Sequence, residues 1–270
     1  MSSQKQLQKG LTREIKGHEI VTIMGLTLHS TSRSKVLRAI QYKLVKKEKF
    51  SLVTPNPEII LEAQKNQRLK DFINQADFSL PDGVGLSWAS KFLYGIKLNR
   101  IPGRMFFLDL LELADLKGLK IYLLGASESV NKKAVDKILK NYPKIKVRGS
   151  SGAILNKNAK PVSLRNRKYY YDTLKQINEF KPDILFVALG APKQELYLAD
   201  NLKDLNVGGA MTVGGSLNYF VGKIPSPPKI VSDCGMEWLW RLIHEPKRVV
   251  RIFKATVVFP CLVIKEKLKV

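Results

Sequence analysis

The sequence predicts an α/β fold, a mainly parallel sheet with helices on both faces, followed by a basic helical appendage at the C-terminus. Three observations carry this expectation. From Leu119 onward a strand, a glycine turn and a helix recur, which is the pattern of a parallel sheet covered by its own crossover helices. Asp183-Ile-Leu-Phe-Val-Ala-Leu189 is a short continuous apolar run, as expected of a strand buried on both faces. From Lys223 the character changes: Ile224-Pro-Ser-Pro-Pro228 breaks the chain, and an aromatic, basic helical region follows. The expected organisation is therefore a disordered basic tail over 1–17, an α/β domain over 18–223 and the appendage over 224–270.

The elements follow in order. His18 to Leu28 alternates loosely, as in a strand pair folded at Gly25. Ser30 to Ser34 offers caps for an amphipathic helix over Lys35–Lys47, with Val36, Ile40 and Leu44 on one face. Phe50–Val53 is a short buried strand ending in Thr54-Pro55-Asn56-Pro57, and helices follow over 58–66 and 69–74. The apolar run Asp77–Leu80 ends at Pro81-Asp82-Gly83, ahead of a helix over Leu86–Tyr94. Arg100–Gly103 reads as a loop, Met105–Leu116 as a helix and Leu119–Leu124 as a strand, turning at Gly125 into a helix that ends near Asn141. Lys144–Arg148 is a further strand, 150–168 a polar basic loop and Leu174–Phe180 a helix. Beyond the buried run, Gly190 opens a helix through Gln194 and Glu195, and Gly208–Val213 is a strand ending at Gly214-Gly215.

Composition narrows the function. At 270 residues and 44% apolar content the chain can bury a sizeable core. Cys234, Cys261 and three scattered histidines (His18, His29, His244) fit neither a disulfide framework nor a metal site. The first 17 residues are too polar for a secretory signal. The longest apolar run, Ala255–Ile264, is about half of a spanning helix and contains Pro260, so no membrane crossing is expected. A net charge of +23 asks for an anionic partner, whether nucleic acid, an anionic membrane or a phosphate-bearing substrate.

The chemistry should gather at strand ends, because open α/β sheets bind ligands beyond the carboxyl ends of their strands. Asp82, between Pro81 and Gly83, is good turn chemistry and also a carboxylate held out of regular structure. Gly125, Gly190 and the Gly214-Gly215 pair each precede a helix whose free amides can hold phosphate. None belongs to a G-x-G-x-x-G fingerprint or a P-loop, which disfavours a nicotinamide enzyme or an ATPase and leaves a mononucleotide or nucleotide diphosphate. Thr54 and Asn56 can hydrogen-bond a polyol, or Asn56 can cap the helix after it. Gln194 and Glu195 can orient a sugar or merely supply first-turn polarity. Arg100 and Arg104 flank a Pro-Gly turn and are surface charge unless phosphate lies near.

In the appendage, Trp238, Leu239, Trp240, Leu242 and Ile243 make an aromatic and aliphatic helix. Arg241, Arg248 and Arg251, at spacings of seven and three, share one face if the helix runs through Pro246. Residues 246–270 carry seven basic groups and one acid among large apolar side chains, which suits a helix lying in a membrane interface or one docked on the core. No nucleic-acid reader motif accompanies the charge.

Thr54-Pro-Asn-Pro-Glu58, Pro81-Asp-Gly-Val-Gly85, Arg100-Ile-Pro-Gly103, Gly190-Ala-Pro-Lys-Gln-Glu195, Val213-Gly-Gly215 and the run from Gly235 to Arg248 occur in this order. Together they resemble the WecG/TagA/CpsF family of bacterial glycosyltransferases, over about His18 to Arg251. The resemblance implies a Rossmann-like catalytic domain and an inverting, metal-independent enzyme with no cofactor beyond its UDP-sugar donor. That enzyme moves an N-acetylmannosamine-type sugar to a polyprenyl-diphosphate-linked sugar, in cell-surface polysaccharide or teichoic acid synthesis. It implies Asp82 as general base, Thr54 and Asn56 beside the acceptor, Gln194 in the sugar pocket, and Arg241, Arg248 and Arg251 reaching the diphosphate as the appendage closes at the membrane.

With the phosphate reading above, Gly125, Gly190, Gly214, Gly215 and Arg100 complete the expected substrate-binding set. The expected location is cytoplasmic, peripheral on the inner face of the cell membrane, with homo-oligomers possible and nucleic acid not expected as a partner. Three positions depart from the family pattern: Met105, Ser226 and Asn218 stand where members often carry Asp, Arg and Asp. These leave the donor sugar open. The alternative reading is a non-catalytic binder of anionic polymer or nucleic acid, suggested by the charge and by the Lys157–Lys168 stretch.

Overall fold

A computed structural model describes residues 19–228, Val231 and 236–268, without the side chains of Glu19, Arg241 and Lys247. The expected tail at 1–17, His18 and Cys234 lie outside the described residues.

The chain opens with a hairpin, β1 (Glu19–Ile23) and β2 (Leu26–Ser30), paired antiparallel. Its two-residue loop is Met24-Gly25, both at positive φ, the geometry whose twist matches that of the strands it joins. The main sheet has six strands, all parallel, in the order β4 (Phe78–Ser79), β3 (Phe50–Val53), β8 (Gly209–Thr212), β7 (Ile184–Ala188), β5 (Lys120–Gly125), β6 (Lys146–Ser150). The carboxyl ends of β4, β3, β8, β7 and β5 therefore lie along one continuous edge.

Two apolar clusters cover the two faces, and the strands alternate between them. Ile121, Leu123, Ile184 and Phe186 join the cluster of α1 (Arg33–Val45), α5 (Gly103–Lys117) and α6 (Glu128–Asn141). Tyr122, Leu124, Leu185 and Val187 join the cluster that holds the hairpin, α2 (Pro57–Ala63), α3 (Gln67–Gln75) and α4 (Val84–Tyr94). Period-two alternation on strands buried on both sides gives the doubly covered sheet that was expected. The fold is α/β and Rossmann-like.

Several boundaries differ from the sequence reading. The stretch 150–168 is not a loop throughout: α7 runs over Leu164–Phe180, with the Ser163 hydroxyl capping the amide of Asn166. Only Thr173 and Ile177 of this helix are buried, so its first turns carry no apolar period to announce them. Strand β6 begins two residues late because it is an exposed edge strand.

The C-terminal segment is also more broken than expected. After α9 (Ser216–Phe220), helix α10 (Glu237–His244) ends before a 3₁₀ turn at Pro246–Arg248, followed by α11 (Val249–Phe253), a π-helical turn at Lys254–Val258 and α12 (Phe259–Leu268). Arg241, Arg248 and Arg251 therefore do not lie on one continuous helix. Pro260 has no amide to donate, and the wider π turn stands just ahead of it. The segment is seated on the fold: Phe259 and Val263 are fully buried in the cluster of α2 and α4.

Candidate functional site

Where β3 and β4 end, their exits stay stitched together. The amide of Leu80 donates to the carbonyl of Val53 at 2.9 Å, and the amide of Asp82 donates to that of Pro55 at 2.8 Å. Gly83 follows at φ 105°, a conformation that L side chains rarely adopt, and serves as the N-cap residue of α4. The Arg100–Gly103 loop closes on this turn, with the amide of Ile101 donating to the carbonyl of Pro81 at 2.9 Å. The amide of Gly103, first residue of α5, donates to Asp82 Oδ2 at 3.1 Å. A Cβ on Gly103 would stand 2.7 Å from Thr54 Oγ1. A glycine at that place thus lets Thr54 and the Asp82 carboxylate meet on one helix end.

Asn56 serves as a cap and as cleft lining at once. Its Oδ1 accepts from the amide of Ile59 at 3.0 Å, starting α2. It also lines, with Asp82, Arg100 and Arg248, a cleft of about 450 Å³ roofed by the C-terminal segment. That roof is tied down by charge. Glu237 Oε1 lies 3.7 Å from Arg100 and 3.6 Å from Arg104, and Arg248 lies 3.9 Å from Glu58 and 3.3 Å from Glu245. The Trp240 indole adds a bond to the carbonyl of Pro225 at 2.9 Å. Arg251 is exposed and is not among the cleft's lining residues, and the Arg241 side chain lies outside the described residues.

The neighbouring strand ends are built differently. Gln194, buried in the first turn of α8 (Lys193–Asn201), accepts the Gly214 amide on Oε1 at 3.0 Å. Its own amide donates to Glu195 Oε1 at 2.7 Å. Glu195 is 1% exposed, and burial pushes its carboxyl up to about 7, with the Gln194 hydrogen bond opposing part of that rise. A Cβ on Gly190 or Gly215 would meet nothing within 4 Å, whereas one on Gly125 would strike the Ala188 carbonyl at 2.6 Å. Gly190 and Gly215 border open space. Gly125 is explained by the close approach of β7.

The structure thus brings Asn56, Asp82, Arg100 and Arg248 into one cleft, with Thr54 just behind it. Gln194, Gly190, Gly214 and Gly215 gather at the adjacent ends of β7 and β8. Sequence reasoning missed two contributors, Glu237 and Trp88, which lines the cleft from α4, and it read Arg104 as surface charge where Arg104 pairs with Glu237. Only Trp88 left a signal, as the middle of the i, i+4 stripe Val84, Trp88, Phe92. Among the described residues no group of three His, Cys, Asp or Glu could hold a metal ion, and no helix is long and apolar enough to cross a membrane.

Comparison with known proteins gives a consistent picture. The family model described as glycosyl transferase WecG/TagA/CpsF family matches residues 21–270. A Bacillus spizizenii protein named N-acetylglucosaminyldiphosphoundecaprenol N-acetyl-beta-D-mannosaminyltransferase is 32% identical over 197 residues, covering 73% of this chain and 72% of its own. A Staphylococcus aureus (strain MRSA252) protein of the same name is 31% identical over 252 residues, covering 93% of this chain and 94% of its own.

Proposed function

We propose, from the premise that the chain belongs to the WecG/TagA/CpsF family of glycosyltransferases, that it carries an N-acetylmannosamine-type sugar from a UDP donor to a polyprenyl-diphosphate-linked N-acetylglucosamine. The transfer inverts the anomeric centre and uses no metal. One observation supports the mechanism above the others. Asp82 is held at a strand end by its own amide and by the Gly103 amide, in a cleft that also contains Arg100 and Arg248.

In this reading Asp82 takes the proton from the acceptor hydroxyl as that oxygen attacks the sugar's anomeric carbon. UDP departs from the opposite face with growing negative charge. Helix N-termini at the donor half stabilise that charge in place of a cation. The open strand ends at Gly190, Gly214 and Gly215, with Gln194 beside them, form the donor half; the Thr54, Asn56 and Asp82 cleft forms the acceptor half. Residues 18–223 act as the catalytic domain and 224–270 as an appendage that closes over it at the inner face of an anionic membrane, drawn there by the chain's charge. Membership of an enzyme family sets aside the reading as a non-catalytic binder of anionic polymer or nucleic acid.

The test is a screen of UDP-sugars against a short-chain prenyl-diphosphate-linked N-acetylglucosamine, with and without a chelator. Released UDP is measured and the product's anomeric configuration is read by NMR. The expected result is UDP release with UDP-N-acetylmannosamine, unchanged by chelator, and an inverted linkage. A retained configuration or loss of activity with chelator would sink the mechanism.

A further inference from the structure

The cleft in front of Asp82 continues into an apolar track that the reaction as described does not use. Helix α4 starts two residues after Asp82 and carries Val84, Trp88 and Phe92 on one stripe, each about 40% exposed. At 1.5 Å of rise per residue this stripe leads roughly 12 Å away from the carboxylate. The Trp88 and Phe92 rings stack, with centroids 5.3 Å apart and planes 11° from parallel, so the two side chains form one aromatic block along the stripe.

Helix α12 packs against α4 and runs in the same sense. Gly85 faces the Phe259 ring at the start, and Lys267 Nζ bonds the Leu93 carbonyl at 2.7 Å at the end. Ile252, Ala255 and Pro260 meet Trp88 where the track joins the cleft. At that junction the character changes from apolar to charged, through Arg100 and Arg248.

We infer that this track seats the first isoprene units of the lipid-linked acceptor, so that a core helix, and not only the C-terminal segment, binds the lipid. The inference rests on the acceptor named in the proposed function. Its physical basis is the matching order of parts: a carboxylate for the sugar hydroxyl, arginines for the diphosphate, then an aromatic wall leading outward for the branched hydrocarbon. A long apolar stripe in water is costly unless something covers it. The polar-to-apolar sequence along the cleft selects an amphipathic chain with an anionic head over a plain bilayer surface.

Binding of farnesyl diphosphate and dimethylallyl diphosphate, which share the head group and differ by two isoprene units, isolates the track without requiring transfer. Calorimetry on the full chain should give farnesyl diphosphate an advantage of roughly 30-fold. In the double variant Trp88→Ala, Phe92→Ala that ratio should fall to about threefold or less, and Trp88→Phe, Phe92→Leu should restore most of it. Both side chains are half-exposed, so folding should survive, which circular dichroism checks. An unchanged ratio in the alanine variant would overturn the inference. So would an unchanged ratio together with weaker sedimentation on phosphatidylglycerol vesicles, which would make the stripe a bilayer contact. If the chain-length preference is present and lost as stated but no sugar is transferred, the track stands and the proposed reaction falls.

Discussion

The floor of the cleft and its roof are held by different kinds of contact. Under Asp82, the backbone bonds Asp82–Pro55 and Ile101–Pro81 and the bond from the Gly103 amide to the Asp82 carboxylate span 2.8–3.1 Å. Above it, Glu237 and Arg248 reach the core through ion pairs of 3.6–3.9 Å. Among the described residues of the C-terminal segment, the apolar anchors are Ile252, Phe259 and Val263. Partly exposed ion pairs contribute little and weaken with salt, whereas buried, paired backbone groups are costly to disrupt. The position of the Asp82 carboxylate is thus fixed by hydrogen bonds of the fold, while the cleft's cover depends on its apolar anchors, its ion pairs adding little.

The most severe way to break this contrast is to remove the roof's anchor. Phe259→Ala empties a fully buried aromatic site and should cost about 3–5 kcal/mol. If the roof is separable, hydrogen exchange in 249–268 should rise sharply while amides of β7 and β8 stay protected. Equal loss of protection in both would show roof and floor to be one cooperative unit.

The next effect belongs to the floor's other half. Burial raises the Glu195 carboxyl from 4.5 to about 7, so the folded state favours its protonated form. That contribution to stability is complete below pH 4.5 and is lost as pH rises through about 7, a loss of roughly 3 kcal/mol for this group. Glu195→Gln should flatten the fall of thermal stability between pH 5 and 8 and leave the variant the more stable of the two at pH 8. A slope unchanged by the substitution would mean that the carboxyl is not buried as described.

The smallest expected effect concerns Glu237. Glu237→Gln removes the attraction to Arg100 and Arg104 and should cost about 0–1 kcal/mol. Limited proteolysis near 245 should quicken slightly at low salt and match the unsubstituted protein at high salt. A large loss of global stability would contradict the roof's weak tether.

Much of the floor was legible in the sequence because its parts are local. Pro81-Asp82-Gly83 announces a turn, and Gly83 takes the positive φ that only glycine adopts readily. Apolar runs ending in glycine marked β5, β7 and β8, and Ser163 was present as the unread start of α7. The roof was less legible. Arg241, Arg248 and Arg251 suggested one helical face, but Pro246 breaks the helix into a 3₁₀ turn and sends Arg248 to Glu58. Glu237 meets Arg100 and Arg104 across more than 130 residues of chain, and no local pattern carries such a pairing. The Glu195–Gln194–Gly214 chain was half visible: the residues drew notice as polar, but burial gives them their strength, and burial follows from the sheet.

In the proposed mechanism Asp82, fixed by the floor, is the base of the transfer. Its most direct measurement is the single-turnover rate of Asp82→Asn with saturating donor and acceptor, beside the affinity for UDP. The expected result is a rate reduced by roughly 10³-fold or more at unchanged UDP affinity, in a protein that still folds. A rate within about tenfold of the unsubstituted enzyme would assign the proton to another group and contradict it.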